Sequence, residues 1–192
     1  SKRLLSLVIL IGFFNTTLGF AYIGAKSSEI TVLHVEGAPD NLVFIADPHL
    51  REGNIEATRR IIDEINALDP ALVFILGDFV YGNGEDLYLQ DVWSRIDAPV
   101  YAILGNHDYM SGTDAMSWLR KNDAVSSVCL DVNGYNLSVL RDETTDLAFA
   151  EQLVAVLGKN GVTVMRNEYL ELELEGRDLM LVGVDDGWAG MA

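Results

Sequence analysis

The chain has 192 residues, of which 49% are hydrophobic, so it is long and apolar enough to fold around one sizeable core. Its formal net charge is -16, from 29 acidic and 13 basic residues, and such a surface repels nucleic-acid backbones, so we expect no nucleic-acid binding. The single cysteine, Cys129, excludes an intrachain disulfide and a zinc site built from cysteines.

An uncharged, mostly apolar segment opens the chain. The 22 residues Leu4–Ala25 carry no charge, and about 20 apolar residues are enough to cross a bilayer as a helix. We therefore expect residues 1–26 to form a hydrophobic helix that anchors the chain in a membrane, and residues 27–192 to form the folded domain. The alternative is a cleavable signal peptide with its processing site at Gly19-Phe20-Ala21. Lys2 and Arg3 favour an N-terminus inside the cell, which predicts an extracytoplasmic domain.

Strands and helices alternate in the first half of the domain. Alternating residues predict a strand at Glu29–Val35. Apolar runs and amphipathic patterns then predict, in order, a strand at Asn41–Ala46, a helix at Asn54–Leu68, a strand at Ala71–Leu76, a helix at Glu85–Ile96 and a strand at Pro99–Leu104. Such an alternation implies parallel strands joined by crossover helices.

The second half is less regular. The patterns predict helices at Asp114–Lys121 and Asp146–Leu157, weak strands within Val125–Leu140, a strand at Val162–Met165, and a hairpin of Tyr169–Leu174 with Leu179–Val184. The fold class is therefore α/β.

Polar side chains follow three of the predicted strands at the point where each strand ends. These residues are Asp47-Pro48-His49, Gly77-Asp78 and Gly105-Asn106-His107-Asp108. Ligands of open α/β sheets bind outside the carboxyl ends of the strands, so one site is expected to form from all three motifs. The intervals are 31 residues from Asp47 to Asp78 and 28 from Asp78 to Asn106, each the length of one crossover unit. Turn chemistry at three separate strand ends is the alternative reading.

The residue types indicate a metal site. Asp47, His49, Asp78 and Asn106 offer two carboxylates, an imidazole and an amide oxygen, a mixture that suits Mn²⁺, Fe or Zn²⁺ better than Ca²⁺. Asp78 can bridge two ions about 3.5–4 Å apart, as in two-metal hydrolytic sites.

The two residues that follow Asn106 suggest catalytic roles. His107 is adjacent and can act as a general acid toward a leaving-group oxygen. Asp108 is expected to hold the imidazole of His107 in position and to keep it protonated.

The motif order D-x-H, G-D and G-N-H-D resembles that of the calcineurin-like metallophosphoesterases, most clearly over Asn41–Asp108. It is most similar to the membrane-associated phosphohydrolase branch with an N-terminal hydrophobic segment. The resemblance implies a four-layer α/β/β/α sandwich with two divalent metal ions. It implies that Asp47 and His49 bind the first metal, that Asp78 bridges and that Asn106 binds the second. It also implies that His107 protonates the leaving group, supported by Asp108.

The sequence departs from the family in its histidines. The family supplies further histidine ligands after the G-N-H-D motif, whereas the histidines here are His34, His49 and His107. We therefore expect either that the chain lacks a C-terminal part of the domain or that it is a degenerate member. The abrupt end after Asp185-Asp186, which we interpret as acidic turn residues, favours the first explanation.

These observations predict a membrane-anchored, metal-dependent phosphohydrolase that acts on phosphate mono- or diesters. The alternative function is a catalytically inactive, membrane-anchored binding or scaffold module with the same fold. A nucleotide-binding protein is disfavoured because Gly82-Asn83-Gly84 matches neither phosphate-loop pattern. At the mouth of the site, Tyr81, Tyr109 and Trp188 are candidates for stacking on a substrate. Arg51 is a candidate for contacting a phosphate, although an exposed loop arginine is the commoner situation.

Overall fold

The protein is described by a computed structural model that covers residues 30–82, 86–128, 137–141 and 143–192. The chain divides into two compact units, residues 1–36 and residues 37–192. The predicted N-terminal helix lies outside the described residues, and the boundary between residues 26 and 27 stays a prediction. Within the described ranges, no helix combines the length and the apolar character that a membrane crossing requires.

The strand predicted at Glu29–Val35 is wrong over residues 30–35, which form neither helix nor strand. Val32 and Leu33 are 71% and 79% exposed, respectively. Alternation of residue types is a signal for a half-buried strand, but here the apolar side chains are not buried against a core.

Residues 37–192 contain strands, α-helices and 3₁₀ helices. In chain order these are β1 (Leu42–Ile45), α1 (Ile55–Ala67), β2 (Leu72–Leu76), a 3₁₀ helix (Leu87–Arg95), β3 (Val100–Ile103), a 3₁₀ turn (Asn106–Tyr109), α2 (Ala115–Val128), a 3₁₀ turn (Leu137–Leu140), α3 (Leu147–Lys159), β4 (Val162–Val164), β5 (Glu168–Leu174) and β6 (Arg177–Gly183). From β1 to β3 the predicted order of strands and helices is thus confirmed, although the second of the two helices is of the 3₁₀ type.

Strands β1 to β4 form one parallel sheet in the order β1-β2-β3-β4. The sheet forms here because its strands are short apolar runs, which is typical of parallel strands. On the inner face Val73 and Ile75 of β2 are fully buried, and Ile62 of α1 and Leu153 of α3 are fully buried in the same hydrophobic core. The core therefore holds the carboxyl ends of β1, β2 and β3 in fixed register.

Two of the predicted helices differ from the observed ones in type or in length. The helix predicted at Glu85–Ile96 is a nine-residue 3₁₀ helix, Leu87–Arg95, which buries Leu89, Val92 and Trp93. Apolar residues spaced by three fit the 3₁₀ period of three residues per turn as well as the α period.

The helix predicted at Asp114–Lys121 is longer, Ala115–Val128, because Asp114 accepts hydrogen bonds from the backbone N–H groups of Met116 and Ser117 and no breaker follows before Val128. The strand signals predicted from Val125 onward are therefore wrong over residues 125–128, and residues 137–140 form a 3₁₀ turn instead.

Strands β5 and β6 form a separate antiparallel hairpin, as predicted. Between this hairpin and the outer face of the parallel sheet lies a cavity of about 420 Å³, lined mostly by apolar side chains. Phe44 on the sheet is 62% exposed and Met180 on the hairpin is 64% exposed. The structure thus contains α/β layers with a parallel sheet, whereas the complete four-layer sandwich stays a prediction.

Candidate metal centre

The three predicted motifs meet at one edge of the parallel sheet. Strands β1, β2 and β3 are neighbours and run in the same direction, with Phe44 paired to Phe74 and Phe74 paired to Tyr101. Their carboxyl ends therefore lie side by side, and the loops that follow carry Asp47, His49, Asp78, Asn106 and His107.

Backbone hydrogen bonds join the first two loops. The N–H groups of His49 and Leu50 donate to the carbonyl oxygens of Asp78 and Phe79, each at 2.9 Å. Leu50 and Val80 form an isolated parallel bridge. The His49 loop consequently has a fixed position along the Asp78 loop.

Two glycines allow the second and third loops to approach closely. A Cβ atom on Gly77 would lie 2.5 Å from the backbone nitrogen of Gly105, and a Cβ atom on Gly105 would lie 2.2 Å from Oδ1 of Asp78. Real Cβ atoms do not tolerate such contacts, so the glycines of the G-D and G-N-H-D motifs are required by the packing of one loop against the other.

His49 has one ring nitrogen occupied and one turned toward a carboxylate. Its Nδ1 lies 3.0 Å from the carbonyl oxygen of Val80, to which it can donate, and its Nε2 lies 3.6 Å from Oδ2 of Asp78. Metal-binding histidines usually donate the N–H of one ring nitrogen to a carbonyl or carboxylate, which leaves the lone pair of the other for the metal. The side chains of His49 and Asp78 are 29% and 13% exposed, so the pair lies at a partly buried surface.

Asp78 is held in a strained backbone conformation. Its φ is 56°, and Asp47 and His49 have φ values of 50° and 40°, all in the left-handed region that side chains other than glycine rarely adopt. The backbone N–H of His107 donates to Oδ1 of Asp78 at 3.0 Å, which orients the carboxylate toward the third loop. Strain of this kind often accompanies functional residues.

His107 packs beside His49. Their ring centroids are 4.6 Å apart with the rings nearly perpendicular, and Nδ1 of His107 is buried without a hydrogen-bond partner. Burial lowers the pKa of the His107 imidazole below its ordinary value, and the nearby Asp78 carboxylate offsets only part of this effect. His49, Asp78 and His107 together can offer ligand atoms within 4.8 Å of one another.

The other two predicted ligands flank this cluster. Asn106 donates from Nδ2 to the carbonyl oxygen of Ser111 at 2.7 Å, which leaves its amide oxygen available as a ligand. Asp47 is exposed and is not one of the three clustered residues, yet its charge is close enough to offset part of the lowering that burial causes in the pKa of His107.

Asp108 has other partners than those predicted for it. The carboxylate is fully buried and accepts from the backbone N–H groups of Asp78, Phe79, Val80 and Gly105 at 2.8–3.3 Å. Asp108 is predicted to hold the imidazole of His107 in position, but no hydrogen bond joins the two side chains, and Nδ1 of His107 has no partner. Burial raises the pKa of Asp108 to about 7, against the effect of its backbone hydrogen bonds. Asp108 therefore fixes the two loops rather than the imidazole.

Sequence reasoning missed a network of polar contacts around the buried Asp185 carboxylate. The hydroxyl of Tyr109, predicted at the site mouth, is buried and donates to the Asp185 carboxylate at 2.7 Å. Arg166 pairs with that carboxylate through Nε at 2.9 Å and with Glu151 through Nη1. Asp185, which we interpreted as a turn residue, is thus a structural acceptor. Tyr109 and Asp185 lie 76 positions apart, so local pattern gave no signal for their contact.

Trp188, also predicted at the site mouth, packs against Gly112, where a Cβ atom would lie 2.5 Å from the indole Nε1.

The residues at the sheet edge fit a divalent metal of borderline character. Imidazole nitrogen and carboxylate oxygen are ligands that Zn²⁺, Mn²⁺ and Fe share, and His49 and Asp78 present one of each within the cluster. The donor set therefore agrees with the chemistry predicted from the motifs.

A family model for the calcineurin-like phosphoesterases matches residues 41–183, from the start of β1 to the end of β6. The chain therefore belongs to the calcineurin-like phosphoesterase family, and the predicted resemblance is confirmed. Comparison with curated proteins gives no significant match. At the level of the family, the domain is that of a phosphoric ester hydrolase that uses divalent metals.

Proposed function

We propose that the chain hydrolyses phosphate mono- or diesters at a centre of two divalent ions. The observation that supports this most directly is the cluster of His49, Asp78 and His107 at the carboxyl edge of a parallel sheet in a calcineurin-like phosphoesterase domain. Asp47 and His49 would hold one ion, Asp78 would bridge and Asn106 would bind the other. Bound ions would supply Lewis acidity and lower the pKa of an attacking water.

The residues of the chain position the reacting groups. His49 is oriented by its hydrogen bond to Val80, and Asp78 is oriented by the backbone N–H of His107. His107 would donate a proton from its ring to the leaving-group oxygen. Asp108 would keep the Asp78 and Gly105 loops together through its four backbone hydrogen bonds. Attachment to a membrane through residues 1–26 rests on the sequence alone and stays a prediction.

The experiment compares Asp78→Asn with Asp69→Asn in the full chain loaded with Mn²⁺. Asp69 also has a left-handed φ, 51°, but it follows α1 and is not one of the three clustered residues, so it is a matched control. Hydrolysis of an aryl phosphate is expected to fall at least about 100-fold in Asp78→Asn and to change little in Asp69→Asn. Full activity in Asp78→Asn would refute the proposal, and absence of any metal-dependent hydrolysis would support the scaffold function instead.

A further inference from the structure

A cationic side chain lies beside the candidate metal centre. The guanidinium carbon of Arg51 is 4.7 Å from the centroid of the Tyr81 ring. The Tyr81 ring in turn meets the His49 ring edge to face at a centroid distance of 5.9 Å. Arg51 thus stacks on the Tyr81 ring, and the Tyr81 ring in turn contacts His49 of the site.

The backbone holds this stack in place. The bridge between Leu50 and Val80 sets the next residues along each loop, Arg51 and Tyr81, opposite each other. The backbone N–H of Arg51 donates to Oδ1 of Asn54 at 2.9 Å, and the carbonyl oxygen of Arg51 accepts from the N–H of Asn54 at 3.0 Å. Arg51 is thus a loop residue with a fixed backbone.

The charge of Arg51 is not neutralised in the described part of the chain. There, no carboxylate forms an ion pair with it, whereas Arg59, Arg95, Arg120 and Arg166 each pair with an acid. The described arginines Arg60, Arg141 and Arg177 form no ion pair there either, but none of them contacts a ring that touches the metal-binding cluster, and Arg141 and Arg177 donate to backbone carbonyl oxygens. The neighbouring acid Glu52 accepts instead from the Tyr88 hydroxyl at 2.8 Å. In a chain with a formal charge of -16, an arginine without an acidic partner beside a metal-binding cluster is suited to an anionic ligand.

We propose that Arg51, stacked on Tyr81 beside His49, binds the phosphate of the substrate and favours phosphate monoesters over diesters. This inference rests on the proposed function. A monoester has three non-bridging oxygens and a diester has two. The Arg51 guanidinium would therefore bind an oxygen that only the monoester offers, with the charge-assisted hydrogen bonds that a planar fork makes well. Tyr81 positions the guanidinium through a cation–π contact.

The kinetic experiment measures KM and kcat of the Mn²⁺-loaded full chain for a matched aryl phosphate monoester and diester. Arg51→Ala is expected to raise KM for the monoester about 10-fold more than KM for the diester, with a smaller change in kcat. Arg51→Lys is expected to recover part of the loss, because charge remains without the planar fork. Tyr81→Leu is expected to raise the monoester KM more than Tyr81→Phe, which keeps the ring face.

Arg59→Ala is the matched control, since Arg59 is an arginine of α1 that pairs with Glu56. The inference is overturned if Arg51→Ala changes KM no more than Arg59→Ala does, or if it changes KM equally for both substrates. In either case, metal-dependent hydrolysis by the unmodified chain would still support the proposed function.

A binding measurement separates the two proposals further. Calorimetric titration of the Mn²⁺-loaded chain with inorganic phosphate is expected to show binding that Arg51→Ala weakens about 10-fold and Arg59→Ala does not. Phosphate binding that depends on Arg51 supports the inference even where the chain turns over no ester. Absence of phosphate binding by the unmodified chain, or equal binding by both variants, overturns it. Circular dichroism of each variant checks that the fold is retained.

Discussion

A Cβ atom on Gly105 would lie 2.2 Å from Oδ1 of Asp78, the carboxylate at the centre of the candidate metal site. The glycine that precedes Asn106 is thus required by the position of an acid 27 residues earlier in the chain. Its φ is -108°, which any residue adopts, so the requirement comes from contact and not from backbone conformation.

Substitution of Gly105 by alanine is therefore expected to destabilise the protein through overpacking. We expect the free energy of unfolding to fall by about 1–3 kcal/mol and Mn²⁺ binding to weaken. The control is Gly158→Ala near the end of α3, where a Cβ atom meets nothing within 4 Å. That variant is expected to gain up to about 1 kcal/mol, because alanine favours the helix. Urea unfolding of the pair checks the prediction, and equal stabilities would contradict it.

Substitution of Asp108 by asparagine tests the part that this residue plays between the loops. An amide has only one acceptor oxygen. Its NH₂ group would face backbone N–H groups that now donate to the second carboxylate oxygen, so donor would meet donor. We expect a loss of about 2–4 kcal/mol in the free energy of unfolding, since buried donors lose their partner. Asp63→Asn, an exposed acid paired with Arg95, should change stability little. A stable Asp108→Asn variant with reduced kcat alone would instead indicate the orienting role first predicted.

The buried Tyr109 hydroxyl is expected to contribute to stability through Asp185. Tyr109→Phe removes a donor from a carboxylate that is only 5% exposed and leaves Arg166 as its charged partner. The expected loss is about 1–3 kcal/mol in the free energy of unfolding. Tyr88→Phe removes the same group from an exposed hydrogen bond to Glu52 and should leave stability unchanged. A similar effect of the two substitutions in thermal unfolding would argue against the network.

Asp186 is expected to make stability depend on pH. Burial raises its pKa to about 6 from the ordinary 3.8, and the charges of Asp78 and Asp185 add to that rise. Between these two values the folded state binds more protons than the unfolded state, so the contribution of Asp186 to stability is present below pH 4 and is lost as the pH rises through 6.

The variant Asp186→Asn removes this titration while its amide oxygen can still accept from the N–H of Ala189. Between pH 4 and pH 7, the unmodified chain should lose about 1–2 kcal/mol more than the variant in urea unfolding. Parallel pH curves for the two chains would contradict the assignment.

Much of the parallel sheet could be predicted because its strands are short apolar runs between turn residues. The predicted bounds of β1, β2 and β3 are each within one residue of the observed bounds. The three motifs that follow these strands meet as expected. The distinction between the 3₁₀ helix Leu87–Arg95 and an α-helix depends on backbone hydrogen bonds that a three-residue spacing does not specify.

The role of Asp108 could not be predicted from its position next to His107. Successive residues in a tight turn point in different directions, and the Asp108 carboxylate is directed at the Asp78 loop, 30 positions away. The contact between Tyr109 and Asp185 joins two segments whose proximity depends on where the hairpin packs. Local pattern therefore located the residues of the site but did not determine which neighbours they contact.

The left-handed backbone at Asp47, His49 and Asp78 has a consequence for selection experiments. Glycine adopts such angles without the strain energy of roughly 1–3 kcal/mol that they cost other residues. A library screened only for resistance to heat should therefore accumulate glycine at these three positions. A library screened for metal binding should retain the original residues. A comparison of the two populations would therefore identify the positions at which the metal site lowers the stability of the fold.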